Sequence, residues 1–349
     1  MGKVLFVTGS LIRGGAERVT SILANDYAKR GWDVTVVMVL HSYIGYELDS
    51  RIKLIDISND KKPIHLTYTS TVLKLRKIIK DTDPDAIVSL MWNVCLISGV
   101  ANIGLKKKLI TSERIDPSMT DRSFLLEKAI EAIYANSHCC VLQTNRAYSF
   151  FPDKIQRKSE IIPNPIEITT PAKYGRKRVI SCGRLTEQKN HKMLIEAFSC
   201  ISKDFPDWTM DIYGEGPLKE KLLSLIKEKG LESRITLKGN VANLHEEISD
   251  AELFVLSSDY EGLSNALLEA MMMGLPCIST DCAGSDEAIN NMENGILIPV
   301  GDTEALKDAM ARLMSDRDLS MKLGKAAASS SQKYSSTSVI RQWREVIED

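Results

Sequence analysis

Residues 256–282 constrain this chain more than any other stretch. Phe254, Val255 and Leu256 read as the end of a short buried strand. Residues 257–262 form a polar turn that contains glycine. Residues 264–273 read as a helix, with Gly274 as its C-terminal stop and Pro276 just beyond. Cys277, Ile278 and Ser279 then resume a strand. The pattern predicts a strand–loop–helix–strand unit of an open α/β sheet. Ligands of such sheets sit outside the carboxyl ends of the strands.

Glu269 is out of place in this unit. The helix reads Asn265-Ala-Leu-Leu-Glu269-Ala-Met-Met-Met273, apolar on every side except for one carboxylate. A helix apolar all round is buried. A buried carboxylate is costly unless something hydrogen-bonds it. No Lys or Arg lies within one turn to pair with it. Either Glu269 holds a neighbouring backbone segment, or it accepts hydrogen bonds from ligand hydroxyls such as a ribose diol. Glu261, eight residues earlier, sits on the loop before the helix, where alone it reads as a solvated acid.

The combined pattern is Glu261-Gly262-Leu263, then Glu269-Ala270-Met271, then Gly274-Leu275-Pro276. It resembles the Glu–seven–Glu motif of retaining glycosyltransferases of family 4, which have the GT-B fold. The resemblance implies that Glu269 binds the donor ribose and Glu261 the sugar being transferred. It also implies donor contacts for Gly262, Leu263 and Ser264.

At 349 residues the chain suits two domains rather than one core. The seven cysteines show no paired metal spacing, which suggests a reducing compartment. The five histidines form no His-Glu-x-x-His pair, so no zinc site is expected. Only four apolar residues run before Thr8, too few for a signal peptide. No apolar run approaches the roughly 20 residues of a membrane span. The expectation is a cytoplasmic protein with at most peripheral membrane contact.

Net charge is −1, but it is unevenly divided. Residues 1–168 carry 23 Lys and Arg against 18 Asp and Glu, and the remainder 22 against 28. A positive first half suits an anionic lipid surface or a phosphorylated acceptor, or is ordinary surface variation. Residues 71–80 form a basic amphipathic helix, with Val72, Leu75, Ile78 and Ile79 on one side and Lys74, Arg76, Lys77 and Lys80 elsewhere. Lys106, Lys107 and Lys108 add to the positive half.

Short apolar runs alternate with helical patterns along the whole chain. That rhythm predicts α/β architecture with doubly wound parallel sheets. Clustered prolines at residues 161–171 interrupt it and mark a stiff connection at about residues 165–177. The organisation expected is GT-B: two Rossmann-like domains facing a cleft, residues 1–168 for the acceptor and 169–333 for the nucleotide-sugar donor. The last segment, residues 334–349, resembles the family's C-terminal helix that returns to the first domain.

Three further motifs carry candidate chemistry. Gly9-Ser-Leu-Ile-Arg13-Gly14-Gly15-Ala-Glu17-Arg18 follows the first strand but has Gly15 where a P-loop needs Lys. Its glycines let a ligand approach a helix N-terminus, or form a plain turn. The resemblance places Gly14 and Gly15 beside the acceptor and the donor diphosphate. Gly183-Arg184-Leu-Thr-Glu-Gln188-Lys189 opens the second domain, where two cations suit a diphosphate. The resemblance makes Arg184 and Lys189, with Glu261, the catalytic set. It also brings Gly214, Gly216, Asn240 and Val241 near the nucleotide. Residues 283–287 match a family loop that often has two glycines, of which this chain keeps Gly284. In Ser112-Glu113-Arg114 a family His is missing, which leaves Arg114 or Glu113 in its place. Asn164 precedes Pro165 where relatives usually have Gly, a pattern of a subgroup acting on lipid-linked sugars.

The function expected is transfer of a sugar from a nucleotide-diphosphate donor to a hydroxyl of a glycan acceptor, lipid-linked, in surface glycan assembly. A UDP-sugar such as UDP-GalNAc, UDP-GlcNAc, UDP-Gal or UDP-Glc is the expected donor. No metal, cofactor or nucleic-acid partner is expected. A sugar-nucleotide epimerase of the same fold and a non-catalytic nucleotide-sugar sensor are the alternatives. The family motifs oppose the first, and intact Arg184, Lys189 and Glu261 oppose the second.

Overall fold

A computed structural model describes residues 2–12, 14–59, 64–120 and 122–349. The chain divides into two compact units, one of residues 1–165 with 336–349 and one of residues 166–335.

The first unit holds a seven-stranded parallel sheet: β1 (Lys3–Thr8), β2 (Asp33–Met38), β3 (Lys53–Asp56), β4 (Ala86–Leu90), β5 (Lys108–Ser112), β6 (Cys139–Leu142) and β7 (Ser159–Ile161). The order is β3-β2-β1-β4-β5-β6-β7. Helices α1 (Gly15–Lys29), α2 (Ile64–Thr82), α3 (Trp92–Asn102), α4 (Phe124–Asn136), α5 (Asn145–Phe150) and α6 (Asp153–Gln156) connect the strands. The central strands are buried on both faces, as apolar runs such as Val4-Leu-Phe-Val7 require. The sequence pattern missed β7, because Pro163 and Pro165 mask a three-residue edge strand just before them.

The second unit holds six parallel strands: β8 (Arg178–Cys182), β9 (Thr209–Tyr213), β10 (Ile235–Gly239), β11 (Leu253–Leu256), β12 (Cys277–Thr280) and β13 (Ile296–Ile298). Their order is β10-β9-β8-β11-β12-β13. Helices α7 (His191–Ile201), α8 (Lys219–Glu228), α9 (Leu244–Ile248), α10 (Asn265–Met273), α11 (Ser285–Ala288), α12 (Thr303–Ser315) and α13 (Arg317–Ser330) cover the sheet. Met193, Leu194, Phe198, Met310 and Leu313 bury one face, and Leu267, Leu268, Met271 and Leu275 the other. Helix α10 is buried from Leu267 to Met273, and Gly274 closes it at φ 93°, where a side chain would be strained.

The final helix, α14 (Ser336–Glu348), packs in the first unit. Val339, Trp343 and Ile347 join the core around Phe6, Val19 and Leu23. Arg344 pairs with Asp26 at 3.0 Å, and Tyr27 donates to Glu348 at 3.0 Å. The second unit therefore begins at Ile166, three residues before the expected boundary. Ile166 already donates its N–H to Tyr334 at 2.9 Å and pairs with Ser335.

Candidate active site

In the second sheet the chain runs from β8 outward to β10, then crosses back to β11 on the other side of β8. The strand order thus reverses at β8, and the loops after β8 and β11 meet at the strands' carboxyl ends, where ligands of open α/β sheets bind. These two loops, residues 183–190 and 257–264, are the two motifs singled out in the sequence.

They are fastened together along their length. Asn190 donates to Asp259 Oδ1 at 2.8 Å, and the Asp259 N–H donates to Gln188 O at 2.8 Å. Gln188 Nε2 donates to Tyr260 O at 2.9 Å, and Ser257 to Lys189 O at 2.9 Å. Asn190 takes a left-handed conformation, φ 43°, and its side chain caps α7 by accepting from Met193 N–H at 3.2 Å. Fastened in this way, the Lys189 ammonium donates to Glu261 Oε1. Ser258 donates to the same oxygen at 2.7 Å. Both charged side chains are largely buried. Arg184 is exposed, and its guanidinium has no hydrogen-bond or ion-pair partner among the described residues. The two cations read as a diphosphate pair therefore differ: Arg184 is available, and Lys189 is engaged by a carboxylate.

Glu269 is buried within α10. Its Oε2 lies 3.4 Å from Nε2 of His245, on α9. His245 Nδ1 in turn accepts from the Thr169 backbone N–H at 3.2 Å, and the Thr169 hydroxyl is also 3.2 Å away. The pair was not legible in the sequence, because His245 and Glu269 sit on different helices. The nearby Cys182 thiol is pushed up by burial and further by the Glu269 charge.

Two glycines are explained by close backbone approach. A Cβ on Gly214, φ 135°, would lie 2.0 Å from Gly183 O. One on Gly284, φ 81°, would lie 2.1 Å from Gly262 O. Gly214 and its neighbour Gly216 thus press their turn against residues 183–185, and Gly284 presses its loop onto Gly262 and Leu263, just after Glu261. Gly183 lies along the Lys189 stem, 3.1 Å from where a Cβ would stand. Leu263 and Ser264 are buried at the head of α10. Asn240 is exposed, and Val241 packs against the core.

In the first unit the order reverses between β1 and β4. Gly14 caps α1 in an extended conformation, and Gly15 is its first residue. Tyr46 donates to Gly14 O at 3.1 Å. Neither glycine has a left-handed φ. Arg13, in the same motif, lies outside the described residues. Across the reversal, Met91 follows β4 at φ 78° and ψ 137°, a conformation that strains any side chain. Such outliers concentrate at functional sites, and hydropathy gave no sign of this one.

Arg114 and Glu113 are buried beyond the end of β5. Arg114 donates to Ile162 O at 2.9 Å and to Asn164 Oδ1 at 3.4 Å, and lies over the Trp343 ring at 5.1 Å. Burial lowers its guanidinium to about 9. Glu113 accepts from Arg122 at 2.8 Å and from Tyr134 at 3.2 Å. Burial raises the Glu113 carboxyl despite these partners. In this geometry Arg114 ties the end of β5 to the segment after β7 and to α14, and Glu113 ties it to α4 and Arg122.

The basic features lie elsewhere. On α2, Arg76 caps α3 by donating to Ala101 O at 2.9 Å and Ile103 O at 2.6 Å. Lys74, Lys77 and Lys80 remain exposed beside Leu73. An open groove of about 890 Å³ at the amino ends of β5, β6 and β7 is lined by Lys106, Lys107, Lys108 and Lys158. Lys107 pairs there with Asp83 at 2.6 Å. Among the described residues no cluster of His, Cys, Asp and Glu could hold a metal ion, all seven cysteines are unpaired, and no helix is long and apolar enough to cross a membrane.

Two parallel-sheet Rossmann-like units, with the C-terminal helix packed in the first, define the GT-B class of glycosyltransferases. The chain belongs to that family: residues 167–330 match glycosyl transferases group 1, and residues 10–143 match glycosyl transferase 4-like proteins. It is 24% identical over 341 residues to an uncharacterized glycosyltransferase of Haemophilus influenzae, covering 96% of each chain. It is 27% identical, over 89% of each chain, to the Campylobacter jejuni N-acetylgalactosamine-N,N'-diacetylbacillosaminyl-diphospho-undecaprenol 4-alpha-N-acetylgalactosaminyltransferase. Anabaena HepE, solved with UDP and glucose, shares the fold with a TM-score of 0.86 at 18% identity and full coverage of both chains.

Proposed function

We propose that this glycosyltransferase moves a sugar from a UDP-sugar to a hydroxyl of a lipid-linked glycan, with retention of configuration and without a metal. The observation that carries the reading is the pair of hydrogen-bonded loops at the carboxyl ends of β8 and β11. It gathers Arg184, Lys189 and Glu261 on two loops fastened to each other, with Glu269 on the helix that follows the second loop.

Arg184 and Lys189 supply the positive charge that a departing nucleoside diphosphate needs. Lys189 carries three donors, so it can keep Glu261 while meeting a phosphate oxygen, or exchange one for the other. Glu261, aligned by Ser258 and Lys189, accepts hydrogen bonds from hydroxyls of the transferred sugar. Glu269 accepts from the ribose. Leaving-group and nucleophile stay on one face of the sugar, and the departing phosphate takes the acceptor proton. The first unit supplies the acceptor site, with the Gly14-Gly15 turn and strained Met91 at its chain reversal. A lipid-linked acceptor is supported by the Campylobacter relative and by the surplus of cations in the first unit. The enzyme would then work at the inner face of the cell membrane, held by exposed Lys74, Lys77 and Lys80.

The test is product analysis after incubation with single UDP-sugars and diphospho-lipid-linked saccharides. A glycosylated lipid with an α-linkage from an α-donor is expected. Epimerised UDP-sugar without transfer, or binding without turnover across the panel, would overturn the reading.

A further inference from the structure

We infer that Thr280 is a positioning residue for Glu261, acting through the turn that carries Ser258; the inference rests on the reading of Glu261 given above, as the carboxylate that meets the transferred sugar. Thr280 is the last residue of β12, pairs with Ile298 of β13 and is fully buried. Its hydroxyl donates to the Ser258 carbonyl at 2.6 Å, across 22 residues of sequence. Ser258 is fully buried too, and a buried carbonyl left without a donor is costly. On the other side of the same peptide group, the Asp259 N–H donates to Gln188 O at 2.8 Å. The peptide unit joining Ser258 to Asp259 is thus held at both ends, its C=O by β12 and its N–H by the loop after β8.

That peptide sets where the Ser258 side chain starts, and from there its hydroxyl reaches Glu261 Oε1 at 2.7 Å. Lys189 donates to the same oxygen. With Oε1 engaged twice, Oε2 is the carboxylate oxygen that has no hydrogen-bond partner among the described residues. Its lone pairs suit a sugar hydroxyl, which is a donor. If the peptide turned, Ser258 would leave Oε1 and Lys189 alone would hold it, on a long and flexible stem. The β-branched Thr280 side chain has few rotamers, so its hydroxyl is delivered to the Ser258 carbonyl with little freedom. Fully buried, Thr280 itself meets no ligand; it contributes the orientation of Glu261.

The experiment measures kcat with a UDP-sugar and a diphospho-lipid-linked saccharide, and UDP affinity by calorimetry, below the melting temperature of each protein. The proteins are wild type, Thr280→Val, Thr280→Ser, Glu261→Gln and the double variant Thr280→Val/Glu261→Gln. Val keeps the branched shape and removes the hydroxyl, whereas Ser keeps the hydroxyl; Thr280→Ala is a second hydroxyl-free variant should Val not fold, and it should behave as Val does. Thr280→Val should lower kcat ~10-fold with UDP affinity within ~3-fold of wild type, and Thr280→Ser should keep kcat within ~3-fold. In the Glu261→Gln background the loss of the Thr280 hydroxyl should cost less than ~3-fold, because the group it positions is already altered. A merely structural role would cost the same factor in both backgrounds, or weaken UDP along with turnover, and either result overturns the inference. So does a hydroxyl-free variant with the kcat of wild type. Glu261→Gln at wild-type turnover, or a wild type that transfers no sugar, overturns the reading of Glu261 itself and this inference with it.

Discussion

Glu261→Gln separates binding from turnover in a direction set by the Lys189 contact. In the ligand-free protein the Lys189 ammonium donates to Glu261, and a diphosphate must compete for it. A hydrogen bond between charged groups contributes ~1.5–3 kcal/mol. Gln keeps an acceptor oxygen for Lys189 and Ser258 but removes the negative charge, so only part of that energy is lost. If Lys189 leaves Glu261 for the phosphate, the substitution removes a competitor. If Lys189 bridges the two, it removes a negative charge beside a negative ligand. Both arrangements give the same sign: UDP should bind Glu261→Gln as tightly as wild type or up to ~10-fold more tightly. Turnover with a UDP-sugar should fall ~10²-fold, because the contact to the transferred sugar is lost. Losing ~1–2 kcal/mol from a buried pair should also lower the melting temperature of the second unit by about 2–8 °C. Calorimetry with UDP below that temperature, beside initial rates, checks all three. UDP binding weakened more than ~3-fold in a folded Glu261→Gln variant would refute the reasoning, since Lys189 would then need the carboxylate in order to hold the diphosphate.

Three further outcomes are expected. Burial holds His191 near 4, with the Lys189 charge adding to the effect, whereas the unfolded imidazole titrates near 6.5. The unfolded chain thus binds more protons between these values, so stability is complete above about 6.5 and falls toward pH 4 by up to ~1.4 kcal/mol per pH unit; His191→Gln should flatten that limb in denaturant melts, and an unchanged slope would show that other groups set it. Transfer should survive excess EDTA, and loss restored by manganese or magnesium would refute metal independence. Binding to anionic vesicles should fall with salt and with Lys77→Glu/Lys80→Glu, at ~1 kcal/mol per engaged cation, and co-sedimentation indifferent to lipid charge would count against the surface role.

The sequence alone determined the architecture and singled out the two loops, residues 183–190 and 257–264, that the fold brings together. Buried parallel strands are near-continuous apolar runs, and helices show their period and their stops, so β6, α7, β9, α9 and β11 are readable from local order. Gly274 announces a helix end because backbone conformation is a local matter. Glu269 stood out because a carboxylate in an apolar helix conflicts with its neighbours in the chain itself. The boundary at Ile166 and the edge strand β7 were not legible, since both depend on pairing with distant segments, Tyr334 and Ser335 in one case and β6 in the other. Only the tertiary structure could supply partners for the site's charges. It placed Glu261 on Lys189, 72 residues away in sequence, and Arg114 against Trp343 rather than on a surface. It also set His245 beside Glu269 and Thr169 beside His245, and it strained Met91 at the turn after β4. Hydrogen bonds and ion pairs act over about 3 Å in space and carry no mark along the chain, so which charge meets which is decided by the fold.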